Sequence, residues 1–122
     1  MRIVIVDDSE LIRERVQRLV AAIPAYTEIY QARNIAEAER IIKQKHPDVI
    51  TLDIRLPDGS GINLLERLNA GATPAKIIVL TSFPYPEYKT RCLQLGAHDF
   101  LEKTEDFHRL SGILTALATQ AG

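Results

Sequence analysis

The stretch Val49-Ile50-Thr51-Leu52-Asp53-Ile54-Arg55-Leu56-Pro57-Asp58-Gly59-Ser60-Gly61 decides how this chain folds. Its first four residues are mostly apolar and rich in β-branched side chains, the composition of a short strand buried on both faces. The run then meets Asp53 and soon breaks into a Pro/Asp/Gly/Ser loop. A carboxylate closing a buried strand is costly unless something uses it. In open α/β sheets, ligands sit outside the carboxyl ends of strands. A second apolar run, Ile3-Val4-Ile5-Val6, ends the same way on Asp7-Asp8. The three carboxylates are expected to converge, with Asp53 carrying the chemistry.

Outward from this stretch the chain alternates strand and helix. Arg2 to Val6 reads as the first strand, with Ser9 as N-cap of a helix whose stripe is Ile12, Val16, Leu19, Val20 and Ile23, stopped by Pro24. Thr27 to Ala32 reads as an edge strand, carrying Glu28 and Gln31. Asn34 and Glu37 predict a capping box for a helix ending at Lys43, Lys45 and His46 before Pro47. After the Asp53 strand, a helix over Gly61–Ala70 is expected to turn Ile62, Leu65 and Leu68 inward, with Gly71 at its C-cap. Lys76 to Leu80 is a fourth strand, closing on Thr81-Ser82, and Pro86 opens a helix that Gly96 stops. His98 to Glu102 is the fifth strand, and Thr104 is expected to cap a last helix striped by Phe107, Leu110, Leu114 and Leu117. Five strand–helix pairs predict parallel strands joined by right-handed crossovers.

Composition narrows the function classes. At 122 residues the chain is expected to be one domain, able to bury a core without staples. A net charge of −1 provides no global field for nucleic acid or anionic membrane. The single Cys92 excludes an internal disulfide and a cysteine-based zinc site, and suits a reducing compartment. No apolar run has the length of a membrane span, and the amino terminus runs directly into a strand, so a cytoplasmic protein is expected.

Four strands thus end on Asp7-Asp8, Asp53, Thr81 and Lys103. Packed carboxylates repel unless a cation neutralises them, and an all-oxygen donor set suits Mg²⁺. An ionised Asp can act as a nucleophile on phosphorus while a Lys takes up charge on the phosphoryl oxygens and a Thr hydroxyl donates to one of them. Taken singly, these residues have bland readings: Asp7 and Asp8 as helix caps, Asp53 as a turn residue, Lys103 as a solvated strand end, Thr81 as strand and Phe100 as core. Their common phase with the strand ends is what favours a site.

These residues together make the chain resemble a receiver domain of two-component response regulators, over essentially its whole length. The resemblance rests on Asp7-Asp8, Asp53-x-x-x-Pro57 with Gly61, Thr81 followed by a small residue, and Lys103. It implies a flavodoxin-like, doubly wound, five-stranded parallel sheet in the order 2-1-3-4-5, three layers thick. It further implies that Asp53 accepts a phosphoryl group from a histidine kinase or phosphotransfer protein. Asp8, Asp53 and the backbone carbonyl of Arg55 would bind Mg²⁺, with Asp7 helping through water. Lys103 would pair with the phosphoryl oxygens. Thr81 and an inward-turning Phe100 would act as the switch, remodelling the face formed by the fourth helix, fifth strand and fifth helix. A protein target or a second copy would read that face, and no turnover enzyme or direct nucleic-acid contact is implied.

The chain also departs from the family. Lys103 is followed by Thr104 where proline is frequent, Ser82 adds a hydroxyl, and Arg55 and Phe83 stand at positions that affect phosphoryl lifetime. Pro84 and Pro86 stiffen the loop after the fourth strand. Tyr85, Tyr88, Phe100 and Phe107 either cluster on the output face or simply pack. His46, His98 and His108 lie in no metal-ligand spacing, and Cys92 reads as packing. Two further hypotheses stand beside the phosphorylated switch: a phosphate-independent pseudo-receiver that only docks, and a small cofactor protein on the same sheet. The second lacks a Gly-rich phosphate loop. The last helix is expected to end the chain without an output domain, as a lone receiver or as the receiver piece of a longer transcriptional regulator.

Overall fold

The computed structural model describes residues 1–121. Five strands form one parallel sheet: β1 (Arg2–Val6), β2 (Glu28–Ala32), β3 (Val49–Leu52), β6 (Lys76–Thr81) and β7 (Asp99–Glu102), in the order β2-β1-β3-β6-β7. Between β3 and β6 a separate two-stranded antiparallel ribbon, β4 (Arg55–Leu56) and β5 (Gly59–Ser60), folds the loop after Asp53 back on itself. Counting only the long strands, this is the 2-1-3-4-5 order of the flavodoxin-like receiver fold. Five helices cover it: α1 (Glu10–Ala21), α2 (Ile35–Lys45), α3 (Gly61–Ala70), α4 (Pro86–Gln94) and α5 (Phe107–Ala121).

Strand alternation divides the interior into two cores. Val4, Val6, Ile50, Leu52, Ile77, Val79 and Phe100 face the side covered by α2, α3 and α4, where Ala38, Leu64, Leu65 and Cys92 meet them. Ile3, Ile5, Val49, Ile78, Leu80 and Leu101 face α1 and α5, against Val16, Val20, Leu110, Leu114 and Leu117. Because β1, β3 and β6 are apolar on both faces, they take the interior positions. The more polar Glu28–Ala32 strand lies at an edge. Among the described residues no helix is long and apolar enough to cross a membrane.

Local signals set most helix starts. Ser9 accepts from the Ile12 N–H at 3.3 Å, and Asn34 from the Glu37 N–H at 2.8 Å. The capping box is displaced by one residue, however: the Glu37 carboxylate accepts from the Arg33 N–H at 3.0 Å, not from that of Asn34. Gly71 is the C-cap of α3 as expected, with left-handed Ala72 (φ 52°) following it. Two other expectations change. Leu64, rather than Ile62 or Leu68, joins Leu65 as the fully buried pair of α3. Thr104 does not cap α5, which begins only at Phe107. Its N–H, at 2.8 Å, is held instead by Glu102, whose own N–H donates to Asp106 at 2.9 Å. These bonds spend the polar groups before α5 on a compact turn that carries Lys103 inward.

Candidate functional site at the carboxyl edge of the sheet

The ladder bonds continue one residue past β1 and β3. The Asp7 N–H donates to the Ala32 carbonyl and the Asp53 N–H to the Val6 carbonyl, each at 3.0 Å. Both carboxylates are thereby held in extended backbone at the sheet edge, and their side chains are only 3% and 5% exposed. Asp8, the next residue, is exposed. Oxygens of Asp7, Asp8 and Asp53 lie within 4.8 Å of one another.

Lys103 reaches into this group from the turn after β7. Its Nζ lies 2.7 Å from Asp7 Oδ2 and 3.0 Å from Asp53 Oδ2. Thr104 in place of proline does not displace it, and among the described residues no peptide bond is cis. The second Asp7 oxygen accepts from the Ser9 N–H at 2.9 Å, and Arg13 donates to the Asp7 carbonyl at 2.8 Å. Asp53 Oδ1 is different. It is buried and, among the described residues, has no hydrogen-bond partner.

Electrostatics follow from that geometry. Burial, then the neighbouring charge of Asp7, raises the Asp53 carboxyl above its ordinary range, and Lys103 offsets this only in part. Burial disfavours the Lys103 ammonium, but its bonds to Asp7 and Asp53 outweigh that and hold it above the usual lysine value. One ammonium therefore serves two buried carboxylates, with Asp8 beside them. An open oxygen in an all-carboxylate donor set fits a hard divalent cation, and no softer ligand belongs to the group.

The remaining candidates surround the cluster. Thr81 is fully buried at the end of β6, its Oγ accepting from the Phe83 N–H at 3.0 Å. Phe100 is already in the core, 6% exposed. Arg55 lies on β4, and its guanidinium covers the Phe83 ring at 3.8 Å. The four aromatics weighed together do not form one patch. Tyr85 and Tyr88 meet edge to face at 5.5 Å, with Phe83 6.4 Å from Tyr85. Phe100 belongs to the core on that side, whereas Phe107 packs on the opposite side of the sheet under Arg15. Cys92 is buried, and burial pushes its thiol up to about 11, as a packing residue requires.

Three contacts escaped the sequence reading. The Arg13 bond to the Asp7 carbonyl, the Arg55–Phe83 stack and the docking of Asp58 on α2 all join residues far apart in the chain or on different elements. The one local signal was Asp58 in a tight turn before glycine, which marks a turn but not its partner.

Comparison with known proteins agrees with the fold. Residues 3–115 match the response regulator receiver domain family, and the chain belongs to it. It is 40% identical over 103 residues to protein-glutamate methylesterase/protein-glutamine glutaminase 2 of Anaeromyxobacter dehalogenans, covering 84% of this chain and 30% of that protein. It is 32% identical over 115 residues to the transcriptional regulatory protein DpiA of Escherichia coli strain K12, covering 94% of this chain and 51% of that protein. The solution structure of the beryllofluoride-activated NtrC4 receiver domain dimer matches with a TM-score of 0.86 at 26% identity, covering 99% of this chain and 98% of the other. The chain spans 30% and 51% of the two curated relatives, so the likeness concerns their receiver portions.

Proposed function

We propose that residues 1–122 are a phosphorylation-controlled receiver module in which Asp53 is the phosphoacceptor. The observation that carries this reading is the buried, unpartnered Asp53 Oδ1 beside a lysine-bridged carboxylate group. Asp7, Asp8, Asp53 and the Arg55 carbonyl would hold Mg²⁺. When bound, that ion supplies positive charge against the phosphoryl oxygens. An Asp53 carboxylate oxygen forms the new O–P bond as the donor's P–N or P–O bond breaks, and the leaving group departs with the electron pair and takes a proton. Lys103, already a donor to Asp53, transfers one of its bonds to a phosphoryl oxygen.

Thr81 is placed for the switch because its hydroxyl proton is uncommitted while its oxygen accepts from Phe83. Turning that hydroxyl toward the phosphoryl group releases the Phe83 N–H and disturbs the Pro84–Tyr85–Pro86 approach to α4. A charge-assisted hydrogen bond nets about 1.5–3 kcal/mol. Moving a two-state equilibrium from mostly off to mostly on takes about 5.5 kcal/mol. Thr81 alone falls short, so Lys103, repacking of Phe100 and the partner share the difference. The face remodelled is α4, β7 and α5. Its reader is a protein target or a second copy, in keeping with the dimeric NtrC4 receiver that this chain resembles. The phosphoryl source is a histidine kinase or phosphotransfer protein.

Intact mass after incubation with Mg²⁺ and acetyl phosphate or phosphoramidate tests this. One labile phosphoryl adduct is expected on wild type, absent without Mg²⁺ and absent in Asp53→Asn. No adduct with either donor, together with no Mg²⁺ binding, would replace this reading with the phosphate-independent docking module.

A further inference from the structure

Asp58 stands at the turn of the β4–β5 ribbon, and its carboxylate points away from the acidic group, at the start of α2. Oδ1 accepts from the Ile35 N–H at 2.8 Å and Oδ2 from the Ala36 N–H at 3.1 Å. Asn34 takes the next donor, Glu37 N–H, on its side chain at 2.8 Å, and the Ala38 N–H closes the first helical turn on the Asn34 carbonyl at 3.1 Å. Three of the amide donors that a helix start leaves open, those of Ile35, Ala36 and Glu37, are therefore satisfied, two of them by a residue from another loop. The bonds from Ile35 and Ala36 hold the Asp58 carboxyl below the usual carboxylate range, with Ile35 the stronger cause. An anion here also suits the helix dipole.

The ribbon that Asp58 anchors is the segment running from Asp53 to α3. Gly59 adopts φ 147° against Ile35, where an added Cβ would lie 3.3 Å from Ile35 Cδ1. Gly61 closes the segment: its N–H donates to the Ile54 carbonyl at 2.5 Å, and a Cβ there would lie 2.0 Å from the Asp53 carbonyl oxygen. The turn and the backbone of Asp53 and Arg55 thus belong to one tightly closed loop.

We propose that Asp58 is a positioning residue, whose anchorage to the first turn of α2 sets the placement of Asp53 and of the Arg55 carbonyl and thereby the affinity of the acidic group for a divalent cation. The inference rests on the reading of that group given above. A carboxylate that served only as a helix cap would act on α2 alone. Asn34 caps the same turn with no hydrogen bond to the ribbon, so it separates the two roles.

The test compares the 122-residue chain as wild type, Asp58→Ala, Asp58→Asn and Asn34→Ala. Mg²⁺ affinity is read by titration calorimetry, and amide hydrogen exchange of residues 54–61 is read without metal. Asp58→Ala is expected to weaken Mg²⁺ binding by about tenfold, in the range typical of residues that orient metal ligands. It should also speed exchange across 54–61. Asp58→Asn, which keeps one acceptor oxygen, should fall between. Asn34→Ala should lower the urea midpoint while leaving Mg²⁺ affinity and ribbon exchange at wild-type values. Wild-type affinity in Asp58→Ala, or an equal loss in Asn34→Ala, overturns the proposal. If Asp58→Ala does not fold, Asp58→Asn decides: a several-fold loss supports the proposal and unchanged affinity overturns it. A wild type that binds no Mg²⁺ overturns both the site reading and this inference, an outcome distinct from failure of the Asp58 variants alone.

Discussion

The two edges of the sheet carry similar residues under opposite conditions. At the amino edge, Arg2 pairs with Glu28, and both side chains are more than 40% exposed. Tyr30 donates to the same Glu28 at 2.7 Å, the Arg2 guanidinium donates to the Lys45 carbonyl at 2.7 Å, and Asp48 accepts from the Arg2 N–H at 2.8 Å. Each charge there has partners and water. At the carboxyl edge, Asp7, Asp53 and Lys103 are 3%, 5% and 11% exposed, one cation serves two carboxylates, and one oxygen has no partner. The first arrangement closes strand ends. The second holds buried, incompletely paired charge at a cost in stability, which the proposed cation and phosphoryl group would relieve.

The sharpest way to break this contrast is to remove the cation. Lys103→Met strands Asp7 and Asp53 side by side in a buried site, and loss of one partner from such a pair costs about 3–5 kcal/mol. Urea denaturation at neutral pH without divalent metal should show a loss of that size. Added Mg²⁺ should recover part of it if the acidic group binds the ion as proposed. A loss no larger than a surface pair gives would mean that the two edges are energetically alike.

A smaller change of opposite sign is expected at Asp53. Its folded-state pKa lies above the unfolded value, so its contribution is fully present below the unfolded pKa and is lost as pH rises through the folded one. At neutral pH the ionised Asp53 therefore weighs against the fold. Asp53→Asn should stabilise the metal-free protein at pH 7, by less than Lys103→Met destabilises it. Its advantage should shrink as the pH falls through the acid range. Equal pH profiles for the two proteins would remove the argument that this edge stores unfavourable charge.

The smallest effect belongs to the amino edge. Arg2→Gln removes an exposed pair that solvent already screens, and exposed pairs contribute little. Its urea midpoint should shift slightly at low salt, and less still in 1 M salt, where the screening length is about 3 Å. A shift rivalling that of Lys103→Met would reverse the comparison.

Much of this was legible because it is local or periodic. The Val49–Leu52 run, the Ser9 and Asn34 caps and the alternation of strand with amphipathic helix each depend on neighbours within one turn or one strand. Where the reading departed from the structure, a distant partner had intervened. Leu64, rather than Ile62 or Leu68, joined Leu65 in full burial because the sheet defines which part of a broad apolar stripe is covered. Thr104 lost its capping role because Glu102 took the amide donors that follow it, the Glu105 N–H on its carboxylate and the Asp106 N–H on its carbonyl, a competition between hydrogen-bond partners that composition does not rank. Of the two readings left open for the aromatics, packing holds for Phe107, because β7 and α5 place it on the opposite side from Phe100.

For this protein, the sequence alone determined the order of the long strands and helices (but not the β4–β5 ribbon), the two-faced apolar strands and the set of carboxylates, threonine and lysine that strand phase brings to one edge. Those are consequences of period and of residue chemistry. Only the tertiary structure decided that Lys103 bridges Asp7 and Asp53, that Asp53 Oδ1 is left without a partner, and that Asp58 turns away from the cluster to hold α2. The physical reason is burial. Which of several acidic oxygens is paired, solvated or left open depends on distances between elements far apart in the chain, and those exist only once the sheet has closed.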